Sequence, residues 1–184
     1  MFKFILESLY FLAPAGFATL TPQLAAHFKI LEPLNKPIDG GRTFRGHHIF
    51  GAHKTIRGYI FGVLTGLLTG FIQYLLSDIS LFKDHSLINY SDLKTALLAG
   101  ALLGLGALVG DSIKSFFKRQ FGIAPGKPWF IFDQIDFIVG ASIFALPVIV
   151  LSMKYYVGMI IIYFLVHILT TSIGYLIGVK ESWV

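Results

Sequence analysis

The chain has 184 residues, of which 55% are hydrophobic and only 14% charged, with a mean hydropathy of +0.72. Soluble globules carry about 25% charged residues, so this composition excludes one and points to a single domain held in a bilayer. The net charge of +5 orients such a chain and attracts anionic lipid or phosphate, without calling for a nucleic-acid partner, and the lack of cysteine excludes disulfides and thiolate metal sites.

A bilayer core about 30 Å thick needs about 20 predominantly apolar residues in a helix. Five stretches approach or meet that length: 4–28, 56–76, 95–110, 137–151 and 155–177. The expected fold is an all-α integral membrane protein with five transmembrane helices, joined by polar loops at 29–55 and 111–136. The first stretch is too long for a signal-peptide core, carries Glu7, and ends without an Ala-x-Ala site, so it reads as a retained span. Pro14 and Pro22 are expected to kink it, since each lacks a donor and crowds the preceding turn.

Loop 29–55 contains Asp39-Gly-Gly-Arg42-Thr-Phe-Arg45-Gly46 and then Phe50-Gly51-x-x-Lys54-Thr55-x-Arg57-Gly58. Backbone N–H groups of Gly40, Gly41, Gly46 and Gly51 can form anion-binding nests, to which Arg45, Lys54 and Arg57 add charge. Thr55 can cap the second span, aiming its N-terminus at an anion. A positively charged cytoplasmic loop with turn glycines would show the same composition. The second span carries Gly62, Gly66 and Gly70, and the third Gly100, Gly104, Gly106 and Gly110, spacings that let neighbouring backbones approach closely. Tyr90, Tyr155, Tyr156 and Trp183 lie near the expected interfaces, where amphipathic rings anchor.

If the third helix runs on past Gly110, then Asp111, Lys114, Ser115 and Lys118 share one face. Pro125, Gly126 and Pro128 break it, and Asp133 and Asp136, three apart, share a face at the start of span four. Three carboxylates beside several cations suit Mg²⁺ with substrate phosphates, the lysines and Arg119 suiting the phosphate oxygens. Asp133 and Asp136 could instead simply cap span four against its helix dipole. Gly122–Lys127 is one residue short of a Walker A loop, and His47, His48 and His53 lack zinc-site spacing.

Loop charge sets orientation. Eleven Lys and Arg fall on the side of the two polar loops and the C-terminal tail, and four on the other. The N-terminus is therefore expected outside and the C-terminus in the cytoplasm, with the site facing the cytoplasm of a multi-pass cell-membrane protein.

The run Gly110-Asp111-x-x-x-Ser115-x-x-Lys118-Arg119, then Pro125-Gly126, then Asp133-x-x-Asp136, is similar to the C-terminal signature of CDP-diacylglycerol synthases. The first-loop runs, the span count and the length more closely resemble CDP-archaeol synthase, the short archaeal relative. The resemblance implies Mg²⁺-dependent transfer of CMP from CTP to a lipid phosphate, 2,3-bis-O-geranylgeranyl-glycerol 1-phosphate. It further implies that Asp111, Asp133 and Asp136 hold metal, that Ser115, Lys118 and Arg119 contact phosphates, and that Gly51, Lys54, Thr55 and Arg57 form part of the nucleotide site. A small-solute or ion transporter is the competing class, but it favours charges within spans or inverted repeats, and neither is apparent here. A CDP-alcohol phosphotransferase would need an Asp-Gly and Ala-Arg signature that this chain lacks.

Overall fold

The structure, a computed structural model, describes residues 2–124 and 127–176; Pro125-Gly126, Lys180 and Trp183 lie outside the described residues. Five helices overlap the five apolar stretches: α1 (Phe2–His27), α2 (Ile56–Leu75), α4 (Leu93–Gln120), α5 (Phe132–Ala145) and α6 (Met153–Leu176). A 3-10 turn (Glu32–Leu34), a short α3 (Ser80–Lys83) and a two-stranded hairpin, β1 (Thr43–Phe44) with β2 (His47–His48), complete the described elements. By length and composition α1, α2 and α4 are each able to cross a membrane.

Three boundaries differ from the expectation. Helix α4, capped by Asp92 accepting from the Thr95 N–H at 2.8 Å, continues ten residues past Gly110. At 28 residues it is about 42 Å long, so the first part of loop 111–136 is helix. Helix α5 begins at Phe132, earlier than residue 137, and ends at Ala145 instead of reaching residue 151. Pro147 explains the early end: it lacks an N–H and clashes with a continuing helix, so the apolar residues after it form turns.

The helices α1, α2 and α4 pack as a core around Phe11, Leu12, Ala15, Ala99, Leu103 and Ala107. Helix α1 continues through both prolines, Pro14 being buried and Pro22 lying against Gly58, where a Cβ would come within 3.2 Å of the Pro22 Cβ. The glycine rows behave as small-residue seams. Gly66 and Gly70 of α2 meet Ala96, Gly100 and Gly104 of α4 backbone to backbone. On another face of α4, Gly106 and Gly110 meet Gly140 and the Asp136 carbonyl of α5; a Cβ on Gly140 would stand 2.8 Å from the Gly110 Cα.

The tyrosines expected as interface anchors have other partners. Tyr90 is 3% exposed and meets Tyr10 edge-on at 5.8 Å. Tyr155 donates to Glu7 Oε2 at 2.9 Å, and the Tyr156 hydroxyl accepts from the Leu151 N–H at 3.0 Å. Trp129 stacks on Phe132 at 4.3 Å and lies 5.7 Å from Phe121.

Candidate functional site

The loop between α1 and α2 is closed at its base by two backbone bonds, Ile38 N–H to Lys54 O at 2.8 Å and Ile56 N–H to Lys36 O at 2.9 Å. Above this base, Gly40, Gly41, Gly46 and Gly51 all take positive φ, from 61° to 94°, which only glycine adopts cheaply. The nest they form is filled by the chain itself. The Asp39 carboxylate accepts from Gly41 N–H at 2.8 Å, Phe50 N–H at 2.9 Å and Gly51 N–H at 3.4 Å. Burial pushes the Asp39 carboxyl up, but the Phe50, Gly41 and Gly51 N–H groups outweigh this and hold it below its ordinary value. The hairpin beyond rests on α4 through Phe44 and Phe116, 6.0 Å apart, with Arg45 over the Phe44 ring at 5.4 Å.

Closing the loop base places Lys54 beside the middle of α4, where its ammonium pairs with Asp111 Oδ2. Thr55 caps α2 as its type suggests, accepting from the Gly58 N–H at 3.1 Å. Arg57, next along α2, turns away from the acids. It is 3% exposed and donates to Glu32 Oε2 at 2.6 Å and to the Ile30 carbonyl at 3.2 Å, which holds the start of the loop to α2.

Asp111, Lys114 and Lys118 come from one face of α4, and Asp133 and Asp136 from the first turns of α5, which the Gly110–Gly140 seam holds against it. Lys114 Nζ lies 3.1 Å from Asp111 Oδ1, 2.7 Å from Asp133 Oδ1 and 2.9 Å from Asp136 Oδ2. Lys118 Nζ lies 3.0 Å from Asp133 Oδ2, which also accepts from the Trp129 N–H at 2.6 Å. The second Asp136 oxygen accepts from the Phe137 N–H at 2.7 Å. Burial pushes the Asp133 carboxyl up, but Lys114, the Trp129 N–H and Lys118 together hold it below the usual carboxylate range.

Two spaces adjoin this cluster. A cavity of about 300 Å³ lies on the Lys54–Asp111 side, lined also by Thr19, Gln23, His53, Thr55 and Tyr59. The Tyr59 hydroxyl is 2.6 Å from Ser112 Oγ and 3.2 Å from the Leu108 carbonyl. A groove of about 540 Å³ lies on the opposite side, between α4 and α5. Lys114 and Asp136 line it about midway, with Phe117 and Phe132 to one side of them and Val139 and Ile143 to the other. Val139 and Ile143 also line a second, apolar hollow that reaches Met153, Tyr156 and Ile160 of α6. The two hollows therefore run together along one side of α5.

The structure thus brings Asp111, Asp133, Asp136, Lys54, Lys114 and Lys118 into one cluster. It does not bring Arg57 there, and the Ser115 hydroxyl is bonded to the Asp111 backbone carbonyl at 2.8 Å within the helix. Among the described residues no carboxylate pairs with Arg119, which follows Lys118 at the end of α4. Thr19, Gln23 and Tyr59 line the polar cavity although no sequence motif includes them. Gln23 and Thr19 are four apart near the end of an apolar helix, the one signal in the chain that could have marked them.

A family model described as "CarS-like: CDP-archaeol synthase" matches residues 1–184. A CDP-archaeol synthase of Methanocaldococcus jannaschii is 35% identical over 185 residues, covering 99% of this chain and 98% of its own. One of Methanosarcina barkeri is 40% identical over 161 residues, covering 80% and 90%. One of Thermococcus gammatolerans is 37% identical over 175 residues, covering 95% and 93%. A solved structure described as an intramembrane enzyme for archaeal membrane lipids biosynthesis superposes with a TM-score of 0.71 at 28% identity, over 90% of this chain and 93% of that one.

Proposed function

Because the chain belongs to the CDP-archaeol synthase family, we propose that it transfers CMP from CTP to a membrane lipid phosphate, 2,3-bis-O-geranylgeranyl-glycerol 1-phosphate, releasing pyrophosphate. The protein would sit in the cell membrane with five spans, N-terminus outside, its charged cluster open to the cytoplasm. The observation that carries this reading is the six-charge cluster beside an apolar groove whose wall includes Lys114 and Asp136. A soluble triphosphate needs cations and a metal, and a lipid phosphate needs a cation at the end of an apolar track. Here both demands fall on one cluster.

The reaction requires an oxygen of the lipid phosphate to bond to the α-phosphorus of CTP as the α–β bridging bond breaks. A phosphate monoester, with a second pKa of about 6, is mostly dianionic at neutral pH and needs no general base. The protein's work is then positioning and charge balance. Lys114, which lines the groove, would meet the lipid phosphate. Lys54, lining the polar cavity beside Thr55 and Gln23, is placed to meet the triphosphate. Lys118 is placed to balance the charge of the leaving pyrophosphate. Three carboxylates already gathered around one cationic nitrogen within 3.1 Å suit a hard dication. Asp111, Asp133 and Asp136 would hold Mg²⁺, which supplies neutralisation of phosphate charge when bound.

The test is to incubate purified protein with Mg²⁺, each labelled nucleoside triphosphate and each candidate lipid phosphate. Label is expected in the lipid phase only with CTP. Lipid labelling by another nucleotide alone, or none at all, would end the proposal. The groove has its own check. Ile143 is 57% exposed along it, so Ile143→Trp fills the groove without crowding the core. We expect this variant to raise the KM for the lipid phosphate about tenfold while the KM for CTP stays unchanged. Equal KM values for both substrates in variant and parent would remove the groove from the binding scheme.

A further inference from the structure

We infer that Lys114 is a resident cation of the carboxylate cluster, one that metal and nucleotide displace together, so that each ligand binds well only in the company of the other; this rests on the reaction proposed above. A lysine ammonium has three N–H donors. Lys114 meets three acceptors, one oxygen each of Asp111, Asp133 and Asp136, at 3.1, 2.7 and 2.9 Å. Its donor capacity is fully used.

The acids are equally committed. Asp111 divides its two oxygens between Lys114 and Lys54. Asp133 gives one to Lys114 and the other to the Trp129 N–H, while Lys118 reaches both. Asp136 gives one to Lys114 and the other to the Phe137 N–H. Every oxygen of the three carboxylates has a protein donor, and three negative charges face three positive ones. The cluster is partly withdrawn from water, the Asp136 and Lys118 side chains being 7% and 9% exposed while those of Asp133 and Asp111 are 22% and 29% exposed.

A bare dication entering such a cluster must break these pairs and leave an excess positive charge that solvent screens only in part. A triphosphate entering alone would meet three carboxylates as well as the lysines. Arriving together, the two satisfy both sets: carboxylates turn to metal, and the freed lysines turn to phosphate oxygens. The long, flexible lysine stem permits this exchange without a move of α4. Such coupling is reciprocal, each ligand raising the affinity of the other by the same factor.

The test uses the full chain in detergent with Mn²⁺ as the metal probe, bound ion being read by electron paramagnetic resonance in the absence of nucleotide. Lys114→Met removes the resident ammonium and leaves the cluster with one net negative charge. It is expected to bind Mn²⁺ alone about tenfold more tightly than the parent protein. Lys114→Gln, polar and uncharged, should behave alike, and it serves where the methionine variant fails to fold. In the parent, Mg²⁺ should raise retention of labelled CTP at least about tenfold, a gain that shrinks in the variants. Parent protein that binds Mn²⁺ alone as tightly as either variant overturns the inference. Loss of CTP retention under every condition would instead strike the proposed reaction, while the metal-only comparison would still decide the role of Lys114.

Discussion

Asp136→Asn is expected to cut CMP transfer by a factor on the order of 10²–10³, the loss seen when one charged or hydrogen-bonding stabiliser is removed from a transfer site. The substitution is nearly isosteric. An asparagine oxygen can still accept from the Phe137 N–H, which Asp136 Oδ1 now does at 2.7 Å, so the first turn of α5 keeps its bond. The negative charge is what goes. Lys114 loses its 2.9 Å partner and retains Asp111 and Asp133. The cost in stability should stay near that of one charged hydrogen bond, about 1.5–3 kcal/mol. Transfer of label into lipid, measured beside Tm and gel filtration, separates the two effects. A well-folded Asp136→Asn protein with parental turnover would remove this carboxylate from the mechanism.

The second large effect is expected at a residue with no side chain. Gly110→Ala puts a methyl group against the carbonyl oxygen of Asp136 and within 3.1 Å of that residue's carbonyl carbon. Both obstacles are backbone, so α5 must shift relative to α4. Overpacking of this kind costs about 1–3 kcal/mol. The displacement falls on the residue that brings Asp136 to Lys114, and a misplacement of about 1 Å at a reacting centre can cost about 10²-fold in rate. Gly66→Ala is the control. It opens the seam between α2 and α4, where the methyl would meet the Gly100 carbonyl. Similar loss of Tm in both variants, with a much deeper loss of turnover in Gly110→Ala, is the expected pattern. Parental turnover in Gly110→Ala would show that the α4–α5 distance does not govern the site.

The helices were legible because apolar length is a local property. Spacing of three and four also sufficed to put Asp111, Lys114 and Lys118 on one face, and Asp133 with Asp136 on another. That the two faces meet was not visible in either spacing, since the meeting depends on Gly110 and Gly140, thirty residues apart. The end of α5 was misjudged because the residues after Pro147 are as apolar as those before it, and hydropathy does not register a missing N–H. The glycine nest was legible as backbone geometry, but its occupant was not: Asp39 reaches Phe50, eleven positions along the chain. Arg57 has the composition of a phosphate ligand, yet Glu32, twenty-five positions earlier, holds it. Gln23 and Tyr59 sit among apolar neighbours, where one polar residue carries little weight until a cavity is seen beside it.

The seams on α4 have a mechanical consequence. Backbone touches backbone on two of its faces, through Gly66 and Gly100 on one and Gly110 and Gly140 on the other. A rod clamped this way has no slack of side chains along which to slide or roll. Whatever gives way when ligands come and go must be softer: the lysine stems, the turn carrying Trp129, and the hairpin resting on Phe116.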